Sequence, residues 1–471
     1  MKARLHEIAR WLGVPLAGTA DPEVRGISTD SRRIAPGEIF LALRGPRFDG
    51  HAFAAEAVAR GGVAVIADCP LNLDVPVLRV ADTLTALGRL AGVWRTRLGA
   101  LVVALTGSAG KTGTKEMLAR ILGAAGEVQA TRGNLNNAIG LPLSLLAADA
   151  PRWLVLEMGA NHPGEIAALS RIARPDLALL LNAGRAHLEG FGSIAGVARA
   201  KGEIVQGLAR NGLLVFNADD PYADLWRELA GTRETLGFGL GRRAQVRAEA
   251  LGPGRWDARG YHRRHRIHRP QGTLEIELPL PGRHNLMNTL AAVAAASALG
   301  VDDHLIAAAL AGLRAAPGRL EFLPGRGGAW IIDDSYNANP ESVAAALEVL
   351  ADLPGRRWLV LGDMAELGPG APALHHEVGV LARKRGIHHL WTTGPLAAQA
   401  ASAFGPEGRH FPDAETLAAA LETQLGEEDR VLVKGSRAAA MERVVRPLRE
   451  DPRPTPSAVG GASPRTDDRE G

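Results

Sequence analysis

The chain has 471 residues, 22% charged and 46% apolar, with a formal net charge of +3. That balance predicts a globular protein of roughly three domains, each large enough for its own core. A single cysteine, Cys69, excludes intrachain disulfides and a multi-cysteine metal site. The charged N-terminus does not read as a secretory signal. The alanine-rich run 290–299 is far short of the roughly 18 residues that cross a bilayer, so a cytoplasmic protein is expected.

In chain order, residues 5–12 carry the apolar spacing of an amphipathic helix. Strand-like runs at 38–43 and 62–67 flank a helical segment at 53–59 and suggest a small α/β domain over 1–85. A connecting helix is expected at 83–98. The next domain, 86–315, alternates apolar strands at 101–105, 153–157, 177–181 and 213–216 with helical sequence, the pattern of a mainly parallel sheet wrapped by helices. Short alternating runs between 240 and 280 predict an antiparallel excursion, followed by a helix over 285–299. A third unit, 316–450, has strand runs at 329–332, 358–361, 389–392 and 430–433 and reads as doubly wound α/β. Residues 451–471 hold almost no large apolar side chains and are expected to be disordered.

The segment Leu101-Val102-Val103-Ala104-Leu105 runs into Gly107-Ser108-Ala109-Gly110-Lys111-Thr112. A glycine-rich turn between a buried strand and a helix directs backbone N–H groups at phosphate oxygens. Its lysine adds a point charge, and its hydroxyl can bind Mg²⁺. The helix expected over 113–122 would aim its positive end at the same phosphates. The full pattern wants glycine where Leu105 stands, so by pattern alone the loop is shortened; the alternative is an ordinary strand–turn–helix.

Polar residues also follow other strands, where open α/β sheets hold their ligands. Glu157 ends one strand, and a carboxylate there can hold Mg²⁺ opposite the loop threonine. His187 follows another, with a structural histidine as the alternative. Asn134, Asn136 and Asn137 make an amide-rich loop suited to sugar or diphosphate recognition, or to turn chemistry. Lysine is rare, six residues against 48 arginines, yet Lys111, Lys115, Lys201 and Lys434 all fall in such segments. An amine can be carbamylated; a guanidinium cannot readily be. The stretch 242–269, with nine arginines and three histidines, reads as a solvated hairpin surface, with an anionic-ligand site as the alternative.

These segments, with Ser28-Thr29-Asp30-Ser31-Arg32, Phe48-Asp49-Gly50-His51, His284-Asn285-Leu286-Met287-Asn288, Asp334-Ser335-Tyr336-Asn337-Ala338-Asn339-Pro340, Leu361-Gly362-Asp363-Met364-Ala365-Glu366-Leu367-Gly368 and Lys434-Gly435-Ser436-Arg437, resemble the Mur ligases in order over about residues 5–450. Those ATP-dependent enzymes form amide bonds in peptidoglycan precursor synthesis and use the short loop Gly-Ser-x-Gly-Lys-Thr. The resemblance implies three domains: an N-terminal uridine-binding domain, a central P-loop ATPase domain and a Rossmann-like C-terminal domain. Within the family the motifs match the activity that adds D-alanyl-D-alanine to UDP-N-acetylmuramoyl-tripeptide through an acyl phosphate. The Asp-Asn-Pro-Arg signature of the diaminopimelate-adding activity is absent.

The resemblance implies that Gly107, Ser108, Ala109, Gly110, Lys111 and Thr112 bind ATP, with Mg²⁺ held by Thr112, Glu157, His187 and, if carbamylated, Lys201. Asn285, Asn288 and Arg319 would lie at the nucleotide. Ser31, Arg32, Asn134, Asn136 and Asn137 would bind the UDP substrate; Asn337, Asn339 and Lys434 are placed at the acceptor end by position alone, not by the resemblance. Closure of the third domain over the second would exclude water. A monomer without a nucleic-acid partner or membrane span is implied.

Overall fold

In the computed structural model, residues 1–450 are described except 17, 46–47, 185–187, 258–259 and 316. His187 and the tail 451–471 thus lie outside the described residues. The chain divides into two compact units, Met1–Leu313 and Arg314 onward.

The first unit opens with helix α1 (Leu5–Leu12), ended by Gly13 at φ +70°. A left-handed cap of this kind favours glycine because no Cβ meets the preceding carbonyl. A parallel sheet follows in the order β1 (Gly26–Ser28), β2 (Glu38–Leu41), β3 (Ala64–Ala67), β4 (Val77–Arg79), with helix α2 (Ala54–Ala59) between β2 and β3. Helix α3 (Thr83–Arg95), capped by the Asp82 carboxylate, leads to the large sheet.

That sheet contains β5 (Leu101–Thr106), β6 (Val128–Ala130), β7 (Trp153–Glu157), β8 (Leu177–Leu180), β9 (Leu213–Asn217), β10 (Glu234–Gly239), β11 (Val246–Ala250), β12 (Arg255–Asp257), β13 (Gly260–Arg269) and β14 (Gly272–Leu278). The order β6-β7-β5-β8-β9-β10-β11 is parallel throughout; β11, β12 and β14 each pair antiparallel with β13. In β5, residues Val102, Val103, Ala104 and Leu105 are fully buried. Helices on both faces explain why this strand is a continuous apolar run rather than an alternating one. One core joins the small N-terminal fold to the large sheet: Leu5, Ile8 and Trp11 of α1 belong to the same buried cluster as Leu87 and Leu90 of α3 and Leu141 and Leu145.

The helix after the phosphate loop, α4 (Lys111–Ala125), begins two residues before the expected start. Gly110 at φ +80° turns the chain directly into it, so Lys111 and Thr112 occupy its first turn. Strands β6 and β10 were not expected from the sequence. The antiparallel excursion falls within 240–280 as expected, and the following helix, α5, spans Arg283–Ala298. In the arginine-rich stretch, Arg264 and Arg266 pair with Glu275, and Arg269 forms a two-pronged ion pair with Asp303 at 2.7 Å on each arm.

The second unit is a six-stranded sheet in the order β15 (Glu321–Pro324), β16 (Trp330–Asp334), β20 (Asp429–Lys434), β17 (Arg356–Leu361), β18 (His389–Thr393), β19 (Gly408–Phe411). Only β15 runs antiparallel. The edge strands β15 and β19 were not expected. Among the described residues no helix is long and apolar enough to cross a membrane.

Candidate active site

The site grows from the carboxyl ends of β5, β7 and β8. Gly107 follows β5 where an added Cβ would stand 2.9 Å from Leu181 Cβ, so the loop passes over the end of β8 only as glycine. At Gly110 and Gly113 an added Cβ would crowd the Asn288 carboxamide, which brings the amino end of α5 against the loop. Thr114 N–H is the first to bond within α4, to Gly110 O. The N–H groups of the preceding helical residues have no intrahelical acceptor and form an anion site. Lys111 Nζ folds back to donate to Gly107 O at 2.7 Å. Burial lowers its pKa, opposed by the Glu157 carboxylate.

Glu157, at the end of β7, is 3% exposed. Thr112 Oγ1 donates to its Oε2 at 3.1 Å, and Asn136 Nδ2 to its Oε1 at 2.9 Å. Its own N–H donates to Thr131 Oγ1 at 3.0 Å. Two hard oxygen donors, a buried carboxylate and a hydroxyl, thus sit side by side next to the phosphate loop, the donor set that Mg²⁺ favours. Asn136 also accepts Gly159 N–H through its carbonyl, so the amide-rich loop and the end of β7 brace each other. Asn137 instead caps the next helix, accepting the N–H groups of Ile139 and Gly140. Asn134 O accepts the N–H of Asn136 at 2.8 Å within the same loop.

Lys201 lies in the last turn of the helix Ile194–Gly202 and is 2% exposed. Its pKa is lowered to about 8, first by burial and then by the Lys111 charge, against the pull of Glu165 and Glu203. An amine with a depressed pKa is neutral, and so nucleophilic, over a wider range near neutrality than a free lysine. Lys115 is also buried, but its Nζ donates to Thr131 O at 2.7 Å. It supports the threonine behind Glu157 rather than facing the loop.

In the N-terminal sheet, Ser31 Oγ donates to Glu56 Oε2 at 3.2 Å, and the exposed Arg32 grips Asp30 with two bonds of 2.9 Å. That grip pulls the Asp30 carboxyl down to about 2. Nearby, His51 Nε2, Asp68 and Cys69 lie close enough to share a metal ion. Two of the three are already engaged: the Asp68 N–H donates to His51 Nε2 at 3.2 Å, and Arg44 pairs with the Asp68 carboxylate. In the large sheet, Asn285 Nδ2 donates to Pro281 O at 2.8 Å in the first turn of α5.

In the second unit, Lys434 at the end of β20 donates to Asp334 Oδ2 at 2.7 Å and to Asn337 O at 2.9 Å. Both charged side chains are buried, and desolvation raises the Asp334 pKa against the pull of Lys434. The Arg319 guanidinium stacks 4.3 Å over the Tyr336 ring. Asn339 spends its carboxamide oxygen on the helix that follows, accepting Ser342 N–H at 2.7 Å.

Sequence reasoning did not single out Asn182 or Asp220. Asn182 grips the phosphate loop, and Asp220 anchors the residue after it. Their positions after β8 and β9 were the available signal.

Comparison with known proteins finds relatives along most of the chain. Residues 23–94 match the Mur ligase family, catalytic domain; 105–296 the Mur ligase middle domain; and 318–437 the Mur ligase, glutamate ligase domain. The UDP-N-acetylmuramoyl-tripeptide–D-alanyl-D-alanine ligase of Escherichia coli K12 is 43% identical over 95% of this chain and 98% of its own length. A crystal structure of MurF from Acinetobacter baumannii superposes with a TM-score of 0.87 at 35% identity, covering 95% of this chain and 99% of that one. MurF ligase from Thermotoga maritima in complex with ADP gives 0.79 at 33% identity, covering 90% and 96%. Sheet order, phosphate loop and end-to-end similarity have one common account: the chain belongs to the Mur ligase family.

Proposed function

We propose that this chain is the ATP-dependent ligase that joins D-alanyl-D-alanine to UDP-N-acetylmuramoyl-tripeptide, completing the pentapeptide precursor of peptidoglycan. The observation that carries this reading is 43% identity over 95% of the chain to a relative named for that reaction. The phosphate loop and the buried Glu157–Thr112 pair support it chemically. The three-part organisation is read as a UDP-substrate domain over 1–85, an ATP domain over 86–315 and a ligase domain over 316–450.

In the reaction, the terminal carboxylate of the tripeptide takes the γ-phosphoryl group of ATP, giving an acyl phosphate and ADP. The amine of D-alanyl-D-alanine then attacks the acyl carbon, loses a proton and expels phosphate. When bound, Mg²⁺ supplies positive charge to the phosphate oxygens. Glu157 and Thr112 are its proposed ligands because their oxygens adjoin the anion site at the start of α4. His187 and a carbamylated Lys201 are proposed at a second ion. Lys111 swings from Gly107 O to the phosphates and offsets charge on the migrating group.

Asn134, Asn136 and Asn137 are assigned to the diphosphate and sugar, and Ser31 and Arg32 to the uridine end. Asn285 and Asn288 are assigned to adenine. Arg319 keeps the nucleotide role that the resemblance implies, and Asn337, Asn339 and Lys434 are assigned to the acceptor end from their positions alone. We place the enzyme in the cytoplasm, where ATP is supplied, and take it to act as a monomer.

The test is a mass-resolved assay with ATP, Mg²⁺, UDP-N-acetylmuramoyl-tripeptide and a panel of acceptors. Pentapeptide formed only with D-alanyl-D-alanine is the expected result. Use of a single amino acid in its place, or no ATP-dependent product, would refute the proposal.

A further inference from the structure

We infer that Asn182 and Asp220 form a positioning relay that sets the shape of the phosphate loop from the neighbouring strands. The inference rests on the reading that this loop binds ATP. Asn182 is the second residue after β8, and its carboxamide meets one loop residue twice. Ala109 N–H donates to Asn182 Oδ1 at 2.8 Å, and Asn182 Nδ2 donates to Ala109 O at 3.0 Å. The Asn182 main chain adds a third bond, Ser108 N–H to Asn182 O at 3.1 Å. Two residues on, Gly184 N–H donates to Ser108 Oγ at 2.9 Å. Between these contacts, Ala183 N–H donates to Asp220 Oδ2 at 2.9 Å.

Asp220 is itself fixed. Its residue is 9% exposed, and its Oδ1 accepts Tyr222 N–H at 2.9 Å. One buried carboxylate after β9 therefore orients the peptide whose two neighbours grip Ser108 and Ala109.

The functional consequence follows from how such a loop works. Its affinity for phosphate comes from N–H groups aimed at one point, and a loop free to turn its peptides must be ordered on every binding event. The Asn182 carboxamide blocks rotation of the peptides on either side of Ala109, immediately before the left-handed Gly110 that opens α4. Asn182 and Asp220 touch neither each other's ligands nor the Glu157–Thr112 pair in the hydrogen bonds described. They act by presetting the nest, so their loss weakens nucleotide binding while sparing the UDP substrate.

Full-length protein is titrated with Mg²⁺–ADP and, separately, with UDP-N-acetylmuramoyl-tripeptide, for wild type, Asn182→Ala, Asp220→Asn and the double variant. Each single change is expected to weaken ADP binding and raise the KM for ATP about tenfold, the effect of one or two lost hydrogen bonds. Binding of the UDP substrate is expected within twofold of wild type. The double variant should be no weaker than the weaker single, because both act through one relay. Should Asp220→Asn fail to fold, the more accessible Asn182→Ala decides alone. ADP affinity within twofold of wild type in Asn182→Ala overturns the relay, as does equal weakening of both ligands. Wild-type protein that binds no ADP would instead refute the nucleotide-site reading itself.

Discussion

Replacing Glu157 by glutamine separates the architecture of the site from its chemistry. The carboxylate accepts from Thr112 Oγ1 at 3.1 Å and from Asn136 Nδ2 at 2.9 Å. A glutamine can keep both contacts. Its carbonyl oxygen faces Asn136, its amide faces Thr112, and the threonine hydroxyl rotates to accept instead of donate. The number of hydrogen bonds is unchanged, so the stability change is expected to stay below about 1 kcal/mol, no more than about 4 °C in Tm. What is lost is a negative charge beside the anion site. If Glu157 binds Mg²⁺, removing that charge should lower kcat/KM for ligation about 10²- to 10³-fold, or about 3–4 kcal/mol of transition-state stabilisation. Steady-state ligation across a Mg²⁺ titration, alongside a thermal melt, checks both numbers. Near-wild-type kcat/KM at limiting Mg²⁺ would refute the metal assignment. A large fall in Tm would refute the hydrogen-bond exchange.

Other consequences can be measured in the same protein. Lys201→Arg is expected to abolish turnover nearly completely, because a guanidinium cannot take the place of the proposed carbamate; recovery of Lys201→Ala with a short carboxylate is the sharper check. The uncarbamylated Lys201 amine has its pKa lowered to about 8 from 10.5. The unfolded chain thus binds more protons between those values, and stability should rise with pH across that window by about 3 kcal/mol. Denaturant unfolding of Lys201→Met should lack that rise; the same slope in both proteins would exclude Lys201 as its source. Lys434→Met leaves the buried Asp334 carboxylate without its partner and should cost about 3–5 kcal/mol, much of it recovered by adding Asp334→Asn. Gly110→Ala places a Cβ at φ +80° against Asn288 Oδ1. About 1–2 kcal/mol of backbone strain plus that overlap should lower Tm and weaken ADP binding, and a variant with normal ADP affinity would argue against the tight approach of α5.

The central strands and the phosphate loop were legible because their signals are local. Parallel strands buried on both faces must be continuously apolar, and β5, β7, β8 and β9 lie within a residue or two of their expected ranges. A glycine-rich turn followed by Lys-Thr is likewise readable without tertiary context, and Glu157 could be named from its position at the end of a strand. The strands β6, β10, β15 and β19 were not legible. They are three to six residues long, and three of them are partly exposed edge or near-edge segments with little periodicity, ordered by the neighbour they pair with.

The start of α4 depended on the left-handed Gly110, a conformation that sequence permits but does not dictate. Lys115 falls in the same segment as the loop lysine, and only folding shows that its amine is spent on Thr131 O. The grip of Asn182 on Ala109 spans 73 residues, and that of Asp220 on Ala183 spans 37. The sequence by itself determined which strands carry the sheet and which loop has the glycine-rich Lys-Thr form, since hydrophobic periodicity and turn chemistry act between near neighbours. Only the tertiary structure decided which polar side chains hold that loop in shape, because a hydrogen bond is sensitive to tenths of an ångström and those positions come from packing the whole sheet.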